Sequence, residues 1–407
     1  VADGGYFRKG FGLKEVIQGA LTEDYASALV EEVRARGNVL SAGGLTVKLA
    51  KEFGFCYGVD RAVEYAYESR RKFPGKRIFL VGEIIHNPHV NAKLADMGIV
   101  IIARSADGAF DFAGITPDDV VILPAFGVTK GDFDTLRALG CVLVDTTCGS
   151  VLNVWKRVES YARDGFTALI HGKYAHEETR ATASQVTKYP NGRYLVVRDM
   201  AEARDVCDVI ARGDAAAVGR LGERFRKASS PGFDFTRDLE RVGVANQTTM
   251  LAGESLAIAE EVRKAFAARY GETGAAERFR SFDTICSATQ DRQDAIRLML
   301  DEGLDVAVVI GGYNSSNTKN LAALCADRIP TFHVEDSACM DAAARTIRHV
   351  PAGSRDEITT ADWLPPGDLV VGVTAGASTP NVKVGEVIGL IFATRGVDVG
   401  AALALAR

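Results

Sequence analysis

Hydrophobic and polar positions repeat in one order three times along the chain. A short apolar run leads to a cysteine, a run of helical spacing follows, and a second apolar run ends in a polar cluster. After Cys56, VDRAVEYAYESRRKF has helical spacing, Pro74-Gly75 breaks it, and RIFLVGEIIH predicts a buried strand. After Cys148, SVLNVWKRVESYARDG predicts a helix closed by Gly165, then the strand FTALIHG. After Cys286, ATQDRQDAIRLMLDEG predicts a helix closed by Gly303, then the strand DVAVVIGG. The closing glycines stand where a helix C-terminus calls for positive φ.

The polar clusters fall at matching distances. His86 lies 30 residues after Cys56, His176 lies 28 after Cys148, and Asn314 lies 28 after Cys286. A third landmark recurs further on as VVILPAFGVT, VGVANQTTM and VVGVTAGAST, each a strand pattern ending in small or polar residues. Such an order predicts α/β units with parallel strands and covering helices. Ligands of such sheets bind beyond the carboxyl ends of the strands, where all nine landmarks fall. The expected organisation is an N-terminal arm over 1–44 and repeats over 45–147, 148–285 and 286–389, with a C-terminal tail over 390–407. The second repeat is the longest, and the stretch 213–240, rich in Gly, Ser and charge, reads as a surface insertion in it.

Composition narrows the function classes. The chain has 407 residues, 47% hydrophobic and 25% charged, with a formal net charge of −5. It offers no basic footprint for nucleic acid. No run nears the length needed to span a bilayer, so no membrane partner is expected. Seven cysteines without a CxxC pair argue against a disulfide framework or a zinc knuckle. Reduced thiols fit better, with a bacterial cytoplasm expected, or a plastid stroma if a leader has been removed. The first sixteen residues show no signal-peptide pattern.

The candidate chemistry centres on Cys56, Cys148 and Cys286. Three thiolates from three repeats, converging, make a metal site; a [4Fe–4S] cluster held by three cysteines keeps one iron without a protein ligand. Such an iron is a Lewis acid for a hydroxyl oxygen, and the cluster passes electrons. Cys141, Cys207, Cys325 and Cys339 lie inside strand or helix patterns and read as core residues. His86 and His176 stand at strand ends, and His176 is followed by Glu177, Glu178 and Thr179, a setting suited to proton delivery or to helix capping. Ser315, Ser316 and Asn317 precede a helix pattern, where Ser and Asn serve either as a cap or as an anion site. Ser378, in GAST, offers a second site of that kind. No Walker motif or dinucleotide fingerprint is present.

These motifs together carry a resemblance. GFCYGVDRAV, EIIHNP, DTTCGSV, HGKYAHEET, ANQTTM, TICSATQDRQDAI, GGYNSSNT and GVTAGASTP are similar to the pattern of the 4-hydroxy-3-methylbut-2-enyl diphosphate reductase family, in its plant and cyanobacterial branch. The resemblance covers most of the chain. It implies a trefoil of three α/β domains around a [4Fe–4S] cluster on Cys56, Cys148 and Cys286. It also implies reductive removal of an allylic hydroxyl, giving isopentenyl and dimethylallyl diphosphate, with ferredoxin or flavodoxin as electron donor. Glu178 matches the proton-relay carboxylate, with Thr248 and His176 beside the substrate hydroxyl. His86, Ser315, Ser316, Asn317 and Ser378 match the diphosphate-binding set. The motifs do not bear on oligomeric state.

Two positions depart from the short bacterial branch. Phe126 stands where that branch has a diphosphate-binding histidine, and a phenyl ring donates no hydrogen bond; Lys130 or Lys173 is expected to compensate. Gly149 follows Cys148 where proline is common. The alternative reading, a non-redox iron–sulfur dehydratase of quinolinate-synthase type, calls for arginines on substrate carboxylates, whereas the strand-end clusters here offer Ser, Asn and His.

Overall fold

The computed structural model describes residues 5–105, 108–213, 215–282 and 284–400. It has the expected α/β class, with mainly parallel sheets, in two compact units. One unit comprises the N-terminal stretch to Lys9, Gly75–Ile84 and Ile99–Cys286; the other comprises Gly10–Pro74, Ile85–Gly98 and the chain from Ser287 onward.

The first unit holds two parallel sheets. One orders Tyr6–Phe7, Val142–Asp145, Val120–Leu123, Ile78–Val81 and Ile99–Ile102. The other orders Phe279–Ser281, Val242–Asn246, Thr167–His171 and Tyr194–Val197. Thr167–His171 and Val242–Asn246 are buried at every position. Such strands are covered on both faces, which is why they read as unbroken apolar runs rather than alternating ones. Tyr161 and Phe266 lie wholly inside this core.

The second unit holds a sheet ordered Thr331–Val334, Val306–Ile310, Leu369–Ala375, Leu45–Leu49 and Val39–Ala42, with only the last strand antiparallel. Residues 39–49, assigned by sequence to the arm and the start of the first repeat, thus pair in the sheet of residues 306–375. A three-stranded antiparallel sheet over Met340–Asp341, Thr346–His349 and Ile358–Ala361 is a further element that the sequence pattern did not announce.

Gly165 and Gly303 adopt positive φ, as a helix exit requires. The arm is fastened to the second unit: the buried Glu68 carboxylate accepts the N–H groups of Phe11 at 2.5 Å and Leu13 at 2.6 Å. The stretch expected as a surface insertion is more firmly held than that. It forms the helix Ala215–Arg224, and Phe225, Phe235 and Leu239 bury in the core of the second sheet.

Two buried imidazoles give the fold a pH signature. Burial pushes His171 and His333 from 6.5 down to about 4. Both are neutral when folded, so below 6.5 the unfolded chain takes up protons that the folded chain refuses. Stability is full above 6.5 and falls as pH drops toward 4, by roughly 3 kcal/mol for each imidazole. Urea midpoints recorded between pH 7 and 4 should therefore fall less steeply for His333→Gln than for the parent; parallel curves contradict the assignment.

Candidate functional site

Parallel strands deliver their loops to one end of a sheet, and the candidate residues stand in those loops. In the first unit, Val142–Asp145 leads through two threonines to Cys148, the N-cap residue of the helix Gly149–Arg163. Its N–H donates to Ala125 O at 3.0 Å, in the loop after the neighbouring strand. Asp145 organises the approach: Oδ1 accepts Thr147 N–H at 3.0 Å and Thr147 Oγ1 at 2.5 Å, while Oδ2 accepts Tyr6 Oη–H at 2.5 Å. Cys286 immediately precedes the helix Ser287–Asp301, and its Sγ accepts a hydrogen bond from Ser150 Oγ at 3.4 Å. Cys148 and Cys286 are thereby linked through the first turn of one helix.

His171 ends Thr167–His171, and the loop beyond it reaches His176, the N-cap of the helix Glu177–Ser184. His176 Nδ1 accepts the Glu178 N–H at 3.2 Å, which leaves the ring proton of the neutral form on Nε2. Glu178 is 1% exposed, and its Oε1 accepts the Thr248 N–H at 2.6 Å. The expected pair Glu178 and Thr248 is thus joined through the threonine backbone. Gln247 completes the junction: its Oε1 accepts Lys173 N–H and Thr179 Oγ1, each at 3.1 Å.

Phe126 lies beside His176, its ring edge-on at 5.7 Å between centroids. The position holds the imidazole by packing rather than by hydrogen bonding. Lys130, expected as a substitute cation, has its Nζ ion-paired with Asp134 one turn along its own helix Lys130–Leu139. It is engaged locally.

In the second unit, Cys56 is the N-cap residue of Tyr57–Lys72, and its N–H donates to Ala377 O at 3.3 Å. The buried Arg292 supports the loop before it, donating to Gly54 O at 2.7 Å and to Ala288 O at 2.7 Å. His86, Ser315, Ser316, Asn317 and Ser378 also belong to this unit. Ser315 caps the helix Ser316–Ala326 by accepting the Thr318 N–H at 3.3 Å. Asn317 Oδ1 accepts Ala377 N–H at 3.1 Å, while its Nδ2 is buried without a partner among the described residues. Ser378 Oγ donates to His86 O at 3.2 Å. Gly312 allows that approach, since a Cβ there would lie 2.7 Å from His86 O. A helix start with two hydroxyls, an unpaired amide donor and a nearby imidazole residue suits an anion.

The seven thiols fall into two groups. Cys56, Cys148 and Cys286 are partly exposed at helix starts; Cys141, Cys207, Cys325 and Cys339 are buried, as expected of core residues. Burial pushes the thiols of Cys207 and Cys325 up to about 12, and that of Cys141 upward. Those three are poor thiolate donors. The cap cysteines Cys56 and Cys148 make no side-chain capping bond. Soft sulfur donors of this kind suit iron in a cluster. Asp145, Gln247 and Arg292 were not singled out from sequence; only the Asp-Thr-Thr order, typical of a side-chain-capped turn, carried a signal for the first.

Residues 47–392 match the LytB protein family. A 4-hydroxy-3-methylbut-2-enyl diphosphate reductase of Gloeobacter violaceus is 48% identical over 396 residues, covering 96% of this chain and 93% of its own length. The enzyme of that name in Thermosynechococcus vestitus is 46% identical over 393 residues, covering 96% and 95%. A solved structure of (E)-4-hydroxy-3-methyl-but-2-enyl diphosphate reductase, described as the terminal enzyme of the non-mevalonate pathway, superposes with a TM-score of 0.52 at 25% identity, over 85% of this chain and 98% of that one. The E-1-hydroxy-2-methyl-but-2-enyl-4-diphosphate reductase of Plasmodium falciparum shares the fold, with a TM-score of 0.62 at 20% identity over 84% and 87%. With a family match through most of its length and relatives near half identity, the chain belongs to the LytB protein family.

Proposed function

We propose that the protein reductively removes the allylic hydroxyl of 4-hydroxy-3-methylbut-2-enyl diphosphate, giving isopentenyl and dimethylallyl diphosphate. Two electrons and two protons enter and one water leaves. The observation that carries the reading, beside family membership, is the polar start of the helix Ser316–Ala326, where Asn317 Nδ2 is a buried donor awaiting an acceptor. A diphosphate supplies such acceptors in excess. The alternative of non-redox dehydration finds no counterpart among the named relatives.

Family membership implies an iron–sulfur cluster. Cys56, Cys148 and Cys286 hold it as [4Fe–4S], and the partial exposure of these three thiols, against the burial of the other four, supports that choice. When bound, such a cluster supplies electrons and a Lewis-acidic iron with an open position. The chain's own residues do the rest. Ser315, Ser316, Asn317 and Ser378 bind the diphosphate with hydroxyls, the amide and helix-start N–H groups, and His86 adds a polar contact. Neutral His176, with its proton on Nε2, and Thr248 orient the substrate hydroxyl. Glu178 holds a proton on its carboxyl group and delivers it to the allylic carbon, its geometry set by the Thr248 N–H. Phe126 keeps water from one side of His176 and leaves the diphosphate to the serine and asparagine cluster. Ferredoxin or flavodoxin supplies the electrons.

Anaerobically reconstituted protein should bleach a reduced viologen when the substrate diphosphate is added, and both five-carbon diphosphates should appear. No bleaching from protein with full iron content contradicts the reading. Cys148→Ser should lose most of its iron and turnover; parent-like iron content and rate would remove it from the ligand set. Glu178→Gln should keep iron and substrate affinity while kcat falls by roughly 100-fold or more. A parent-like kcat there would take the proton role away.

A further inference from the structure

Between the strand Val306–Ile310 and the helix Ser316–Ala326 the chain passes through Gly311, Gly312, Tyr313 and Asn314 before it reaches the serines of the anion site. The two glycines bring no side chain to fix this loop, and Asn314 is exposed. Tyr313 is its one large side chain, and groups from the following stretch of chain converge on it. The buried His333, on the neighbouring strand Thr331–Val334, meets the phenol ring edge-on at 5.1 Å between centroids. The same imidazole, neutral in the folded chain, donates from Nε2 to Gly311 O at 2.9 Å. The Tyr313 hydroxyl donates to Glu357 Oε1 at 2.9 Å and lies 3.6 Å from Cys339 Sγ. Glu357 is paired in turn with Arg348 at 2.8 Å. Cys339, Arg348 and Glu357 belong to the small antiparallel sheet and its connections: Cys339 precedes Met340–Asp341, Arg348 lies in Thr346–His349, and Glu357 precedes Ile358–Ala361. Burial, with the bonds to Cys339 and Glu357, holds the phenol above its ordinary range, so it keeps its proton and remains a donor.

We propose that Tyr313 is a positioning residue for the diphosphate, and that the small antiparallel sheet, through Glu357, sets the loop that presents Ser315, Ser316 and Asn317. The inference rests on the reductase reading above. A site made of hydroxyls, an amide and helix-start N–H groups binds an anion tightly only when those donors are already in place, because ordering them on binding consumes part of the interaction free energy. A loop with two adjacent glycines has the most conformational freedom to lose. Tyr313 removes that freedom at the next residue. Its hydroxyl is committed to Glu357, so it acts through the backbone and not by touching the ligand. The path to the site is short: the Ser315 N–H donates to Gly312 O at 2.9 Å, so the backbone on either side of Tyr313 is tied together directly before the helix.

Calorimetric binding of inorganic pyrophosphate to the reconstituted protein tests this without turnover, and steady-state kinetics with the allylic diphosphate tests it in the reaction. Tyr313→Phe removes one oxygen atom, and Glu357→Ala removes its partner. Each should raise the pyrophosphate Kd and the substrate KM by about tenfold, with kcat and iron content as in the parent. The double variant should lose no more than the worse single one, because both substitutions cut the same bond. Amide exchange over residues 311–317 should quicken in both. Parent-like Kd and KM in Tyr313→Phe overturn the proposal, even with a lowered melting temperature, since the bond is then a tie of the fold alone. Losses that add in the double variant overturn the part given to Glu357. If Glu357→Ala does not fold, Tyr313→Phe still decides. A parent that binds pyrophosphate without turning over the substrate counts against the reductase reading alone, because pyrophosphate affinity then still decides the place of Tyr313.

Discussion

The site depends on two backbone hydrogen bonds of the same kind. The Cys148 N–H is held by Ala125 O, and the Cys56 N–H is held by Ala377 O. In each case the loop after one strand grips the cysteine loop after its neighbour. Parallel pairing makes this possible, because neighbouring strands end side by side and release their loops at the same edge. With the backbone fixed, each sulfur is carried on a helix start and needs no capping bond to hold it. Cys286 is steadied otherwise, by Ser150 on the sulfur and by Thr284, two residues upstream, whose hydroxyl oxygen accepts the Asn246 N–H at 3.1 Å.

Each unit carries candidate residues of its own. One carries Glu178, His176 and Thr248, tied by the 2.6 Å bond from the Thr248 N–H to the Glu178 carboxylate and the 3.2 Å bond from the Glu178 N–H to His176 Nδ1. The other carries a helix start rich in hydroxyls and amides, with an unpaired donor on Asn317. A buried donor without an acceptor costs free energy in the empty protein, and an anion removes that cost on binding. Phe126 fits this division. Its ring supports His176 by packing, in a part of the site where the present residues ask for shape rather than charge.

Much of this was legible in the chain. Strand runs such as VAVVI and TALIH are continuous because both faces are covered, and Gly165 and Gly303 marked helix exits that do have positive φ. The repeated offset from cysteine to polar cluster pointed to the loops that carry the site. What pattern could not show was pairing across long stretches of sequence. Leu45–Leu49 completes a sheet whose other parallel strands lie more than 250 residues away, and no local periodicity encodes that partner. Short antiparallel strands such as Thr346–His349 are too brief for a period-two signal to emerge. Supporting residues were missed for a similar reason. Arg292 looks like any charged position on a helix until its guanidinium is seen on Gly54 O. Phe225 and Phe235, in a stretch dominated by glycine and charge, pack inward because the core of the second sheet is near.

The central proposal is that Cys56, Cys148 and Cys286 would hold one cluster and would leave one of its irons without a protein ligand. Mössbauer spectra of anaerobically reconstituted, iron-57-labelled protein test it most directly, recorded with and without 4-hydroxy-3-methylbut-2-enyl diphosphate. The account predicts a cluster in which about one quarter of the iron signal moves on adding the diphosphate, the rest staying as it was. A spectrum unchanged by the diphosphate, or one in which all iron sites are alike and thiolate-bound throughout, would contradict it.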